Sequence, residues 1–213
     1  MSPRRRGGPP TRPRQTAHPF AVHVFVEGEK TEAGYLLPWR RDLRDRVLIT
    51  VDAFTGASPM AMVQRAVQTK AADRRDQARS RGRAFDEVWC VFDRDEHPNI
   101  PEALALAEQH GIGVAFSNPC IELWFILHFE DQTASIHRHD AQRRSATLLV
   151  AGKTLTPAAA QRLVQRYPEA RRRAIALDAK HEGDGSPPLS NPSSTMWNLI
   201  DRFTSAAAQP PEK

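Results

Sequence analysis

Two acidic features follow apolar runs directly. Glu27 ends the run Ala21 to Val26, and Asp93 and Asp95 end the run Val88-Trp89-Cys90-Val91-Phe92. In an open parallel sheet, ligands bind beyond the carboxyl ends of the strands, so all three carboxylates are expected on that edge. Alternate residues of an extended segment point the same way, which lets Asp93 and Asp95 aim at one point while Arg94 turns elsewhere. Three carboxylates at one edge repel unless a cation neutralises them. An all-oxygen set suits Mg²⁺ or Mn²⁺, ions that commonly also hold a phosphate. A single acid after a strand serves equally as a turn or cap residue, and a lone D-x-D is a weak motif. Two such features at the ends of separate apolar runs favour the metal.

Glu122 adds to the set. It sits among Ile121, Leu123, Trp124, Phe125, Ile126, Leu127 and Phe129, a helical stretch apolar on every side, so it is predicted to be buried and to need a partner or a metal. With Asn118 as N-cap, the reciprocal Glu of a capping box belongs at position 121, which is Ile121. The helix dipole still favours a carboxylate in the first turns. His128 lies about 120° further around that helix and reads as a core histidine. Lys30, just past Glu27-Gly28, is either a phosphate contact near the metal or a solvated lysine, and Gly28 permits a tight turn and close backbone approach. Ala151-Gly152-Lys153-Thr154 looks like the end of a phosphate-binding P-loop. Its required first glycine falls on Thr147, and a helix is expected before it, so the chain shows no ATPase of its own.

The elements that position these groups alternate. Ala21 to Val26 reads as a strand covered on both faces. Thr31 caps a helix through Tyr35, Leu36 and Leu37 to about Trp39, and Val47 to Phe54 is a second strand. Ser58-Pro59 starts a helix with an apolar face of Met60, Val63 and Val67 and a basic later part, Arg74 to Arg83. Val88 to Phe92 is the third strand, a helix runs from near Pro101 to Gly111, Ile112 to Phe116 is the fourth strand, and Asn118-Pro119 opens the apolar helix. This is the pattern of an α/β fold with a parallel sheet of about four strands flanked by helices. From about Asp140 the pattern turns helical: Ala141 to Val150, Pro157 to Tyr167, Glu169 to Lys180 and Thr195 to Phe203, with a Gly-, Pro- and Ser-rich loop from His181 to Pro192. The expected organisation is a disordered Arg- and Pro-rich tail over 1–18, an α/β domain over 19–138, a C-terminal helical extension over 139–206, and a disordered end over 207–213.

The 213 residues suit one α/β domain with an appendage and exclude a large multidomain enzyme. The net charge is +5. Residues 1–14 contribute five arginines and no acid, and without them 25 basic residues balance 25 acidic ones. The basic character therefore belongs to the arm, which is either a phosphate contact or a solubility tail. No apolar run approaches the roughly 18–20 residues of a membrane helix, and nothing resembles a signal peptide. The two cysteines, Cys90 and Cys120, lie in apolar segments, as reduced core residues of a cytoplasmic protein do.

Glu followed by Gly after the first strand, with D-x-D after the third, resembles the Toprim domain, the metal-binding fold of topoisomerases, primases and related nucleases. Three longer segments are more specific: Val26-Glu27-Gly28-Glu29-Lys30-Thr31-Glu32, Glu87 through Glu96, and Ser117-Asn118-Pro119-Cys120-Ile121-Glu122 through Phe129. With a late Asn191-Pro192-Ser193-Ser194, they closely resemble the RloB-like family from about Phe20 to Phe203. Ile121 departs from the aromatic usual before the Glu. The resemblance implies a Toprim-like, Mg²⁺- or Mn²⁺-dependent nuclease of anti-phage defence by abortive infection, often encoded beside a partner ATPase. It also implies that Glu27, Asp93 and Asp95 form the acidic triad, with Lys30, Glu32 and Glu122 supporting or completing it. A topoisomerase needs a further domain with a nucleophilic tyrosine, and only Tyr35 and Tyr167 exist here; a replicative primase needs a zinc module that two cysteines cannot supply.

The expected reaction is hydrolysis of phosphodiester bonds in DNA or RNA. The metal at Asp93, Asp95 and Glu27 would polarise the phosphate, and Glu27 or Glu122 would act as general base or as ligand of a second ion. Basic residues after Arg65 or among Arg162 to Arg173 would guide the strand, unless they are solvated helix faces. Two other readings stand beside this one. The apolar strand ending in Asp93-Arg94-Asp95 also resembles a haloacid-dehalogenase-type phosphatase, although Glu96 stands where that family has Thr or Val. The other is a non-catalytic regulatory or sensor subunit whose C-terminal helices bind an ATPase.

Overall fold

Phe20–Val26 forms β1, buried at six of its seven positions, and a strand so covered needs helices on both faces. The computed structural model describes residues 18–94, 97, 99–150 and 154–209. The arginine arm over 1–17, Asp95, the Ala151-Gly152-Lys153 segment and the last four residues lie outside the described residues. From β1 the chain runs through α1 (Glu32–Asp42) to β2 (Val47–Ala53), parallel to β1 on one side. Then α2 (Pro59–Ala78) crosses to β3 (Glu87–Asp93), parallel to β1 on the other side. α3 (Ile100–Gln109) leads on to β4 (Gly113–Asn118), parallel to β3. The expected four parallel strands gain a fifth, β5 (Ser193–Ser194), antiparallel to β4, in the order β2-β1-β3-β4-β5. Two residues are too few to show any hydrophobic period.

The two faces carry different helices. Val22, Val24, Val26 and Val91 pack with Tyr35, Leu36 and Trp39 of α1. Phe25, Cys90 and Phe92 pack on the opposite face with α2 and α3. On α2 the buried stripe is Met62, Val63 and Ala66, whereas Met60 and Val67 are only partly covered. Val63 is shared with the predicted face, and Met62 and Ala66 take the places expected of Met60 and Val67. Ser58 does cap α2, accepting from the Ala61 N–H at 3.2 Å. Thr31 stands at the N-cap of α1 without a side-chain cap bond.

The remaining helices are α4 (Ile121–Leu127), α5 (Arg138–Leu149), α6 (Pro157–Gln165), α7 (Tyr167–Gly183) and α8 (Met196–Ala208). They share one core with β1 and α1. At its centre is α4, with Leu123, Trp124, Ile126 and Leu127 excluded from solvent. The Trp124 ring meets Tyr35 of α1 edge-on at 6.4 Å and Tyr167 of α7 at 6.3 Å. The N-cap of α4 is Cys120, not Asn118. Asn118 ends β4, and its side-chain amide donates to the Leu189 carbonyl at 2.8 Å. No helix of the described residues is long and apolar enough to cross a membrane.

Gly113 stands opposite Trp89 in the β3–β4 register, and a Cβ there would enter the indole ring. Trp89 is also held by its Nε1–H, which donates to Glu87 at 2.9 Å. Gly113→Ala is expected to lower stability by about 1–3 kcal/mol through overpacking, while Gly82→Ala, where a Cβ meets open space, changes it by less than about 0.5 kcal/mol; urea denaturation of both variants checks this.

His128 is fully buried, and its Nδ1–H donates to the Trp124 carbonyl at 2.8 Å. Burial, with smaller pushes from Arg173 and Arg166, lowers its pKa from 6.5 to about 3 against the raising effect of that hydrogen bond. The unfolded chain binds a proton here below pH 6.5 and the folded protein does not until about pH 3, so acid favours unfolding across that window. The loss approaches about 1.4 kcal/mol per pH unit. Denaturant titrations between pH 7.5 and 5 are expected to show wild type losing stability faster than His128→Gln; parallel losses would refute the assignment.

Candidate functional site

The connections from β1 and β3 leave in opposite directions. α1 carries the chain from β1 to β2 on one face of the sheet, and α3 carries it from β3 to β4 on the other. The two strands are neighbours, with Val26 paired to Val91, so a crevice opens between their carboxyl ends, the place where open α/β sheets bind ligands. Glu27 is the first residue past β1 and Asp93 the last of β3. Both line a cavity of 790 Å³, with Glu32 from α1 and Glu122 from α4. The structure thus brings together four of the six predicted site residues. Asp95 lies outside the described residues. Lys30 is exposed in the turn before α1 and does not line the cavity.

Asp93 is 8% exposed. Its pKa is raised well above the ordinary carboxylate value, first by burial and next by the charge of Glu32, with further pushes from Glu122 and Glu27. The Ile121 N–H, at the start of α4, donates to it and acts in the opposite direction. Glu32 is also buried. It reaches its place over Gly28, where a Cβ would collide with its carboxylate, so the glycine of the Glu27-Gly28 pair is required for close approach.

Glu122 is half-buried rather than buried. The predicted burial rested on the apolar residues around it. With Cys120 as N-cap, Glu122 is the second helical residue and projects from the open end of α4 into the cavity, while its apolar neighbours take the core.

The opposite wall is α5. Arg138, His139, Gln142 and Arg143 line the cavity, and sequence reasoning missed them. Their i, i+1, i+4, i+5 spacing puts them within about 140° of the helix circumference, a signal that was available. Such a stripe is indistinguishable from a solvated surface until the helix is placed beside the carboxylates.

The donor chemistry of the acidic wall is oxygen alone. Burial, with the charges of Glu122 and Asp93, keeps the Cys120 thiol protonated, and burial pushes Cys90 up to about 12. Among the described residues, no three His, Cys, Asp or Glu side chains converge closely enough to hold a metal ion. The set fits a hard cation in ligand type, and Asp95, two residues beyond Asp93, is the further carboxylate that the sequence supplies.

A family model described as RloB-like protein matches residues 22–203. The chain belongs to the RloB-like family. Neither the curated proteins nor the solved structures contain a match. In this RloB-like protein all four cavity carboxylates fall inside the matched span.

Gly28→Ala is expected to leave the fold intact, with an unfolding free energy within about 1 kcal/mol of wild type, because the atom in the way is the end of a flexible side chain. Glu32 is expected to swing out of the cavity. A crystal structure of the variant with Glu32 in its original rotamer would overturn this account of the glycine.

Proposed function

We propose that this RloB-like protein is a Toprim-type, metal-dependent nuclease that hydrolyses phosphodiester bonds in DNA or RNA. One observation carries the reading: Glu27 and Asp93 stand at the adjacent carboxyl ends of β1 and β3, in one cavity with Glu32 and Glu122. The residues that would hold Mg²⁺ or Mn²⁺ are Glu27, Asp93 and Asp95. Such an ion supplies a Lewis acid that polarises a phosphoryl oxygen.

The protein's own groups have separate tasks. The Ile121 N–H fixes the direction of the Asp93 carboxylate. Glu122, half-open to solvent at the free end of α4, accepts the proton of an attacking water on its carboxylate oxygen. Glu32, buried against Gly28, keeps negative charge beside Asp93 and so favours a cation there. The family membership supports reading the protein as the effector of an anti-phage abortive-infection system in the cytoplasm, working with a partner ATPase.

Purified protein, alone and with that ATPase, is expected to cleave one or more of single-stranded DNA, duplex DNA, RNA and tRNA with Mg²⁺ or Mn²⁺, and none with EDTA. Asp93→Asn is expected to abolish cleavage, and Glu122→Gln to slow it by about 10²–10⁴-fold, the range for loss of a general base. Full activity in Asp93→Asn, or no cleavage of any substrate with the ATPase present, would overturn the reading; the second result would favour a regulatory subunit.

A further inference from the structure

The cavity has two chemically opposite walls. α5 flanks the cavity along its whole length, from Arg138 to Leu149. It presents Arg138 and Arg143 there, with the polar Gln142 between them. Five residues of α-helix separate the two guanidinium-bearing positions by about 7.5 Å along the axis, of the order of the spacing between neighbouring phosphates on one strand. Arg143 is paired with Asp140 one turn away on the same exposed surface, an i, i+3 pair of the kind that contributes little stability and exchanges readily for another anion. Asp93, on the opposing side, is 8% exposed. A phosphate must therefore enter the cavity, beside α5, to reach it.

We infer that α5 is the substrate-binding wall, with Arg138 and Arg143 holding phosphates next to the scissile one of a nucleic acid. This rests on the nuclease reading for the word scissile and deepens it by naming the residues that hold the substrate. The basic part of α2, Arg74 and Arg75, is also exposed, but α2 packs on the other face of the sheet and is assigned no part in binding.

The test is binding, read separately from cleavage. Fluorescence anisotropy would follow labelled oligothymidylate, oligouridylate and a duplex of equal length, with Ca²⁺ replacing Mg²⁺, across a potassium chloride series. Wild type is expected to bind at least one of the three. The double variant Arg138→Gln/Arg143→Gln is expected to lose affinity about tenfold and to reduce the slope of log affinity against log salt by about 1–2, one for each phosphate contact removed. Arg138→Lys/Arg143→Lys retains the charge and is expected to retain the slope, which a purely structural role for the arginines would not produce. Arg74→Gln/Arg75→Gln is expected to change neither quantity.

An unchanged slope in the α5 glutamine variant, a loss that follows the α2 variant instead, or no binding of any oligonucleotide by wild type would each overturn the inference. Binding that depends on α5 in a protein that cleaves nothing would overturn the nuclease reading alone. Cleavage that needs Asp93 but ignores both arginines would overturn the inference alone.

Discussion

Like charge crowded into one cavity is the constraint around which this structure is arranged. Two unit charges 4 Å apart repel by about 4 kcal/mol at an effective dielectric constant near 20, and Asp93 feels three carboxylates, Glu32 foremost. Its backbone donor, the N–H of Ile121, provides a charge-assisted hydrogen bond worth about 1.5–3 kcal/mol. One such bond does not offset three like charges and burial together, which is why the Asp93 pKa moves up despite it. The carboxyl must hold a proton or face a cation, and either way the surrounding fold has to keep four acids from drifting apart into water.

α4 does most of that holding. It is short, yet all seven of its residues except Glu122 are buried, so its position is fixed from the sheet side and from the C-terminal helices at once. Its end away from the cavity is tied by arginines. Arg173 donates to the Leu127 carbonyl at 2.7 Å, and Arg162 and Arg166 both lie over the Phe129 ring, 5.3 and 5.0 Å from its centre. Arg171 grips Asp201 on α8 with its Nε, at 2.8 and 2.9 Å. The basic run from Arg162 to Arg173, which in the sequence looks like a track for a nucleic-acid strand, is thus engaged in holding α4, α7 and α8 together. Cations sit where the helix dipole of α4 is negative, and carboxylates gather where it is positive.

Local chemistry was legible in the sequence and partnership was not. The strand runs ending in Glu27 and Asp93 could be read because a strand buried on both faces is a continuous apolar word with a polar stop. Those stops fall at the edge where the site lies. Glu32 was reached only through family resemblance, since nothing in its own surroundings distinguishes it from other acids in a helix's first turn; what marks it is the missing Cβ of Gly28, a contact between a turn and a helix. The misplaced cap at Asn118 follows from residue preference: Asn is a good N-cap by type, and Cys120 is not. Here the strand simply continues through position 118, pairing with Ser193. β5 itself and the inward face of α5 depend on contacts across 70 or so and 20 or more residues of chain, which no local pattern encodes.

The two walls also depend on each other. Even with a proton on Asp93, three carboxylates face two guanidinium groups across the cavity, so a phosphate approaching Arg138 and Arg143 meets a field that is negative overall. A divalent cation at the acidic wall reverses that sign, and an anion at the basic wall in turn draws the cation in. By linkage the two affinities must rise together, by the same factor in each direction. Under the proposed nuclease reading, the cavity would hold both ligands better than either alone, and hydrolysis would be confined to the moment when metal and strand are present together.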